Sequence, residues 1–121
     1  MADGACRLCL SAEALAAEPV ARNAGFVVLP KPHPTNPAAL IVAIRHVASP
    51  FDFGAAEWAA LGEAMILAQQ HLAQFAPDGL TIGWNVGAAA GQHIFHAHLH
   101  VICRYDRNAN AGRGLRDFVL R

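Results

Sequence analysis

Between His96 and Ile102 the chain reads His-Ala-His-Leu-His-Val-Ile, a strict alternation of imidazole and aliphatic side chains. A period of two belongs to a β-strand, because a helix would scatter these residues around its axis. The expectation is a strand over residues 95–102, with His96, His98 and His100 on one face and Ala97, Leu99 and Val101 turned to a core. Packing does not account for three imidazoles in a row. Each ring has a donor and an acceptor to satisfy, and charging all three at close range is costly. The bland alternative is a solvated histidine-rich edge or an adventitious chelate. The aliphatic flanks oppose it, since they point to a partly buried strand.

Other segments supply the rest of an α+β fold. Residues 19–23 and 26–29 read as short strands with a turn near Gly25, and residues 40–44 as a buried strand. Pro30, Pro32, Pro34 and Pro37 exclude a helix and stiffen an extended loop. Trp58, Leu61, Met65, Ala68, Leu72 and Phe75 recur at steps of three and four, so one helix packs this stripe on the sheet. Residues 80–86 form a further strand, followed by a small-residue loop from Gly87 to Gly91. Residues 1–18 read as a Cys-x-x-Cys knuckle and a short helix, and residues 106–121 as a polar tail that Leu115, Phe118 and Leu120 would dock. The chain, 1–121, is read as a single domain.

Composition removes several classes of function. Of the 121 residues 55% are hydrophobic and 15% charged, which suits a packed core and not a disordered chain. Nine basic residues balance nine acidic ones, which argues against a nucleic-acid polymer or a membrane surface as partner. The longest strongly apolar run, residues 38–44, is too short to span a bilayer, and no basic-then-apolar signal opens the chain. A cytoplasmic protein is therefore expected. Cys6, Cys9 and Cys103 make an odd count, which argues against a disulfide framework. Cys6 and Cys9 alone fit half a metal site, a redox pair or two ordinary cysteines.

The loop ahead of the histidines has chemistry of its own. Gly87 and Gly91 let backbone approach a ligand closely, and their amides can donate to an anion. Asn85, Gln92 and His93 add further donors. The run Asn85-x-Gly87-x-x-x-Gly91-Gln92-x-x-x-His96-x-His98-x-His100 resembles the signature of the histidine triad (HIT) family of nucleotide hydrolases and transferases. Pro34-Thr35-Asn36-Pro37 and the strand and histidine after it, residues 40–46, resemble that family's proline loop and following strand. The resemblance extends from Cys6 to about Tyr105.

The resemblance implies a HIT-like curved antiparallel sheet of about five strands with one main helix, shared across a homodimer. It implies cleavage at the α-phosphate of a nucleoside phosphoramidate, dinucleoside polyphosphate or similar AMP conjugate. His98 would be the nucleophile, forming a nucleotidyl-histidine intermediate, and His100 would hydrogen-bond the phosphoryl oxygens or the bridging atom. His96 completes the catalytic triad. Asn85, Gly91, Gln92 and His93 would bind substrate, with backbone amides near Gln92 holding the α-phosphate. Bacterial members bind zinc through a Cys-x-x-Cys and two histidines, which carry over to Cys6, Cys9, His46 and His96 as a closed structural site. No organic cofactor is implied. Three positions depart from the pattern. Lys31 stands where the family usually has Asp or Asn, Ala38-Ala39 replaces Gly-His, and His93 replaces Ser or Thr. Lys31 could reach a phosphate. The departures at Lys31 and Ala38-Ala39 motivate the alternative of a non-catalytic nucleotide-binding or protein-interaction module, and histidine density a third, zinc handling.

Overall fold

A computed structural model of the chain describes residues 6–9 and 19–120. The short helix expected after the cysteine knuckle lies outside those residues. The elements are β1 (Ala21–Arg22), β2 (Phe26–Lys31), β3 (Ala38–Ala43), α1 (Ala55–Leu72), β4 (Gly79–Trp84), β5 (His98–Arg104) and a short α2 (Leu115–Val119). The strands form one antiparallel sheet in the order β1-β2-β3-β5-β4.

The two central strands explain why their sequences read as apolar runs. β2 and β3 sit inside the sheet and are covered on both faces. Phe26, Val28, Ala39 and Ile41 join Leu99, Val101 and Cys103 under α1. On the opposite face Val27, Leu29 and Val42 pack with Leu8 of the knuckle. A strand buried on both sides has no polar face to display, so alternation is lost there. β5 keeps its alternation because only its Leu99, Val101 and Cys103 side lies in the core.

The α1 stripe is narrower than its periodicity suggests. Leu61, Ala64, Ala68 and Leu72 are buried, Met65 is partly buried, and Trp58 and Phe75 at the two ends are largely exposed. The helix starts at Gly54, whose amide donates to Glu57 Oε1 at 3.0 Å. Arg45 holds that same carboxylate at 2.7 Å and also the Asp52 carbonyl. The chain between β3 and α1, which contains His46, is thereby pinned to the helix start.

Beyond β5 the tail folds back. Arg104 donates to the carbonyls of Asn110 and Arg113 and to Thr81 Oγ1. Leu115 of α2 then approaches Gly83 of β4. No helix among the described residues is long and apolar enough to cross a membrane.

Candidate functional site

β5 begins at His98, three residues later than the expected strand. Its period of two puts His98, His100, Ile102 and Arg104 on the face away from α1. His98 Nδ1 lies 2.7 Å from the carbonyl oxygen of His96. A carbonyl only accepts, so Nδ1 carries the proton and Nε2 keeps a lone pair. The His100 ring lies 5.1 Å from that of His98, centroid to centroid. Its Nε2 is buried and has no hydrogen-bond partner. Such an atom is costly unless a ligand meets it. Burial pushes the His100 pKa below the ordinary histidine value, and positive charge at His98 and Lys31 acts in the same direction. The ring is therefore neutral at pH 7.

His96 does not join this row. It precedes the strand, where the Ala97 amide donates to the carbonyl of Val47 while the Ala97 carbonyl still accepts from the Ala43 amide at the end of β3. The His96 ring is fully buried, and its Nε2 donates to the carbonyl of Ala43. That bond sets the tautomer, so the Nδ1 lone pair is the one that would ligate a metal. His96 Nδ1 lies 3.1 Å from His46 Nδ1, 3.4 Å from Cys6 Sγ and 3.7 Å from Cys9 Sγ. Cys9 Sγ lies 3.2 Å from His46 Nδ1. All four donor atoms fall within 4.8 Å of one another, close enough to hold one metal ion. Tetrahedral zinc, with bonds of about 2.0 to 2.3 Å, would separate such donors by roughly 3.3 to 3.8 Å. The residues present therefore fit the ion.

The loop from Gly87 to Gly91 forms a single 3-10 turn, with both glycines at positive φ, +90° and +94°. A side chain at either position would be strained. Gln92 braces this loop from inside. Its side-chain carbonyl accepts from the Gly87 amide at 2.8 Å, and its amide donates to the carbonyls of Ala48 and Ile94. The Gly91 and Gln92 backbone amides are themselves paired, with Ala88 and Gly87. These two amides are therefore not available to an anion as the sequence reading expected. Asn85 and His93 are exposed at the loop, and the Asn85 side chain lies beside Gly91.

A cavity of about 410 Å³ opens beside His100. Lys31, Asn36, Thr81 and Arg104 contribute polar groups to its wall, and Ile102, Leu115 and Phe118 apolar ones. Sequence reading had singled out only Lys31 and His100 among these. Arg104 was within reach of it, since the same period of two runs on from His98 through His100 and Ile102. Leu115 and Phe118 were expected only to dock the tail, and the folded-back chain is what brings them to this cavity.

The HIT domain family matches residues 17–107. No curated protein matches the chain. Among solved structures, a hypothetical protein from Leishmania major is similar with a TM-score of 0.73 at 21% identity, over 89% of this chain and 78% of that one. A HIT family protein from Bacillus anthracis is similar with a TM-score of 0.66 at 24% identity, over 82% and 70%. The diadenosine triphosphate hydrolase of Plasmodium falciparum has a TM-score of 0.68 at 18% identity, over 76% and 64%.

Proposed function

The chain belongs to the HIT family, and from that premise we propose that it is a nucleotide hydrolase or transferase acting at an α-phosphate through a nucleotidyl intermediate on His98. The observation that carries this reading is the tautomer of His98. Its Nδ1 proton is engaged by the His96 carbonyl at 2.7 Å, so the Nε2 lone pair is the one left to react.

In the first step Nε2 forms a bond to the α-phosphorus while the bond from phosphorus to the leaving group breaks. The electron pair leaves with that group, which takes a proton from a neighbouring acid. His93, exposed at the loop, is the group we assign to that transfer. His100, neutral and with an unpartnered Nε2, would hydrogen-bond a phosphoryl oxygen or the bridging atom. Asn85, exposed beside Gly91, would hold a remaining phosphoryl oxygen and its developing charge. Water then displaces His98 from phosphorus, releasing the nucleoside monophosphate. The substrate class is a nucleoside phosphoramidate, a dinucleoside polyphosphate or a similar AMP conjugate, and the related diadenosine triphosphate hydrolase supports that range.

Cys6, Cys9, His46 and His96 would hold zinc as a structural ion, with two thiolates and two imidazoles closing its coordination. His96 then has two tasks, since its ring would bind the metal while its carbonyl orients His98. A homodimer completes the reading. Edge strand β4 and the flank of α1 leave Ile82, Leu80, Met65 and Ile66 around an apolar groove of about 370 Å³. A second copy of this edge would extend the sheet.

The test is turnover of adenosine 5′-phosphoramidate and diadenosine polyphosphates by the wild type beside His98→Asn. Nucleoside monophosphate from the wild type alone is the expected result. Binding without product would favour the non-catalytic module that the Lys31 departure motivates.

A further inference from the structure

The cavity beside His100 is cationic. Lys31 and Arg104 both line it, and among the described residues no carboxylate does. Arg104 is committed to Thr81 and the tail carbonyls, which fixes its position and leaves its charge without a counter-ion. Lys31, the only lysine in the chain, is exposed at the end of β2, and its side chain forms no hydrogen bond or ion pair among the described residues. Below it the buried Nε2 of His100 also has no partner. That atom is assigned above to the scissile phosphate, whereas the two uncompensated cations around the cavity are the complement of a further anion.

We propose that this cavity is a second phosphate subsite, taking a phosphate of the substrate other than the one His98 attacks, with Lys31 as its cation. The proposal rests on the assignment of His98 as nucleophile. Sheet register supports two separate sites. Lys31 pairs through Ala38 with Ile102, whereas His98 pairs with Val42. Four residues along the strands and two strands across separate Lys31 from His98 by roughly 16 Å between Cα atoms. One phosphate cannot serve both. The apolar wall of Ile102, Leu115 and Phe118 would support the carbon skeleton joining the two phosphates. The substrate class narrows accordingly to nucleotide conjugates that bear a further phosphate beyond the scissile one.

Because Lys31 is the only lysine, amine acetylation read by peptide mass reports on it alone, with the N-terminal amine as internal control. Inorganic tripolyphosphate should slow acetylation of Lys31 at least fivefold relative to sodium chloride of matched ionic strength. The same protection should persist in His98→Asn. Calorimetric affinity for tripolyphosphate should fall at least tenfold in Lys31→Met and be largely kept in Lys31→Arg. Unchanged acetylation, or protection lost with His98, would overturn the proposal. Turnover of adenosine 5′-phosphoramidate, measured on the same preparation, separates the two claims. Turnover without protection removes only the second subsite. Protection without turnover removes the catalytic reading and leaves the anion site.

Discussion

His98 and His100 are two residues apart and face the same way, yet their surroundings give them different chemistry. His98 is oriented by a carbonyl, whereas His100 is held neutral by burial and by nearby positive charge. The sign of the pH effect follows. A histidine with a depressed pKa resists a proton that the unfolded chain accepts. His100 therefore leaves stability unaffected above pH 6.5 and subtracts from it as pH falls below that value toward its folded pKa. Proton-resolved NMR should find His100 titrating below 6.5, and a midpoint at or above that value would contradict the assignment. Both histidines were legible because a period of two is a local property of the chain. His96 was legible as a metal ligand only through resemblance. Its departure from the row depends on Val47, about fifty residues away, whose carbonyl takes the Ala97 amide.

At the scale of elements, the Gly87–Gly91 loop owes its shape to one buried side chain. Gln92 makes three hydrogen bonds inside the protein, to Gly87, Ala48 and Ile94. Gln92→Ala would strand the Gly87 amide and two carbonyls, so stability should fall by about 2 kcal/mol. Denaturant unfolding measures this, and a loss under about 0.5 kcal/mol would mean that the loop holds itself. Sequence reading assigned Gln92 to substrate because the motif contains it, and could not see that its amide is occupied. The helix was legible for a better reason, its steps of three and four. Its C-terminal end was not, since Phe75 lies in a separate 3-10 turn beyond Leu72.

At the scale of the molecule, three distant regions meet on one face of the sheet. The knuckle residues Cys6 and Cys9 reach His46 after β3 and His96 before β5. Metal bound there would tie three separate parts of the chain together and stabilise the folded state through linkage. Removing it with a strong chelator should lower Tm by about 10 °C, and readded zinc should restore it. A Tm indifferent to chelation would leave the cluster without a structural ion. The exposed edge of β4 makes a second prediction. Ile82→Asp should shift a homodimer toward monomer in sedimentation, with the fold retained, and an unchanged mass would move the interface elsewhere. The antiparallel sheet of about five strands was accessible through resemblance, without its strand order. The docking of the tail was expected from Leu115 and Phe118, but its path across β4 was not, because it rests on Arg104 contacting carbonyls rather than on any local pattern.

The account turns on a bond between phosphorus and His98 Nε2. Rapid quenching of the wild type during turnover of adenosine 5′-phosphoramidate, followed by peptide mass analysis under alkaline conditions, tests that bond directly. The prediction is an adenylyl group on the peptide containing His98, formed fast enough to account for turnover and missing in His98→Asn. Turnover with no adduct on that peptide, or an adduct on another residue, would contradict the mechanism.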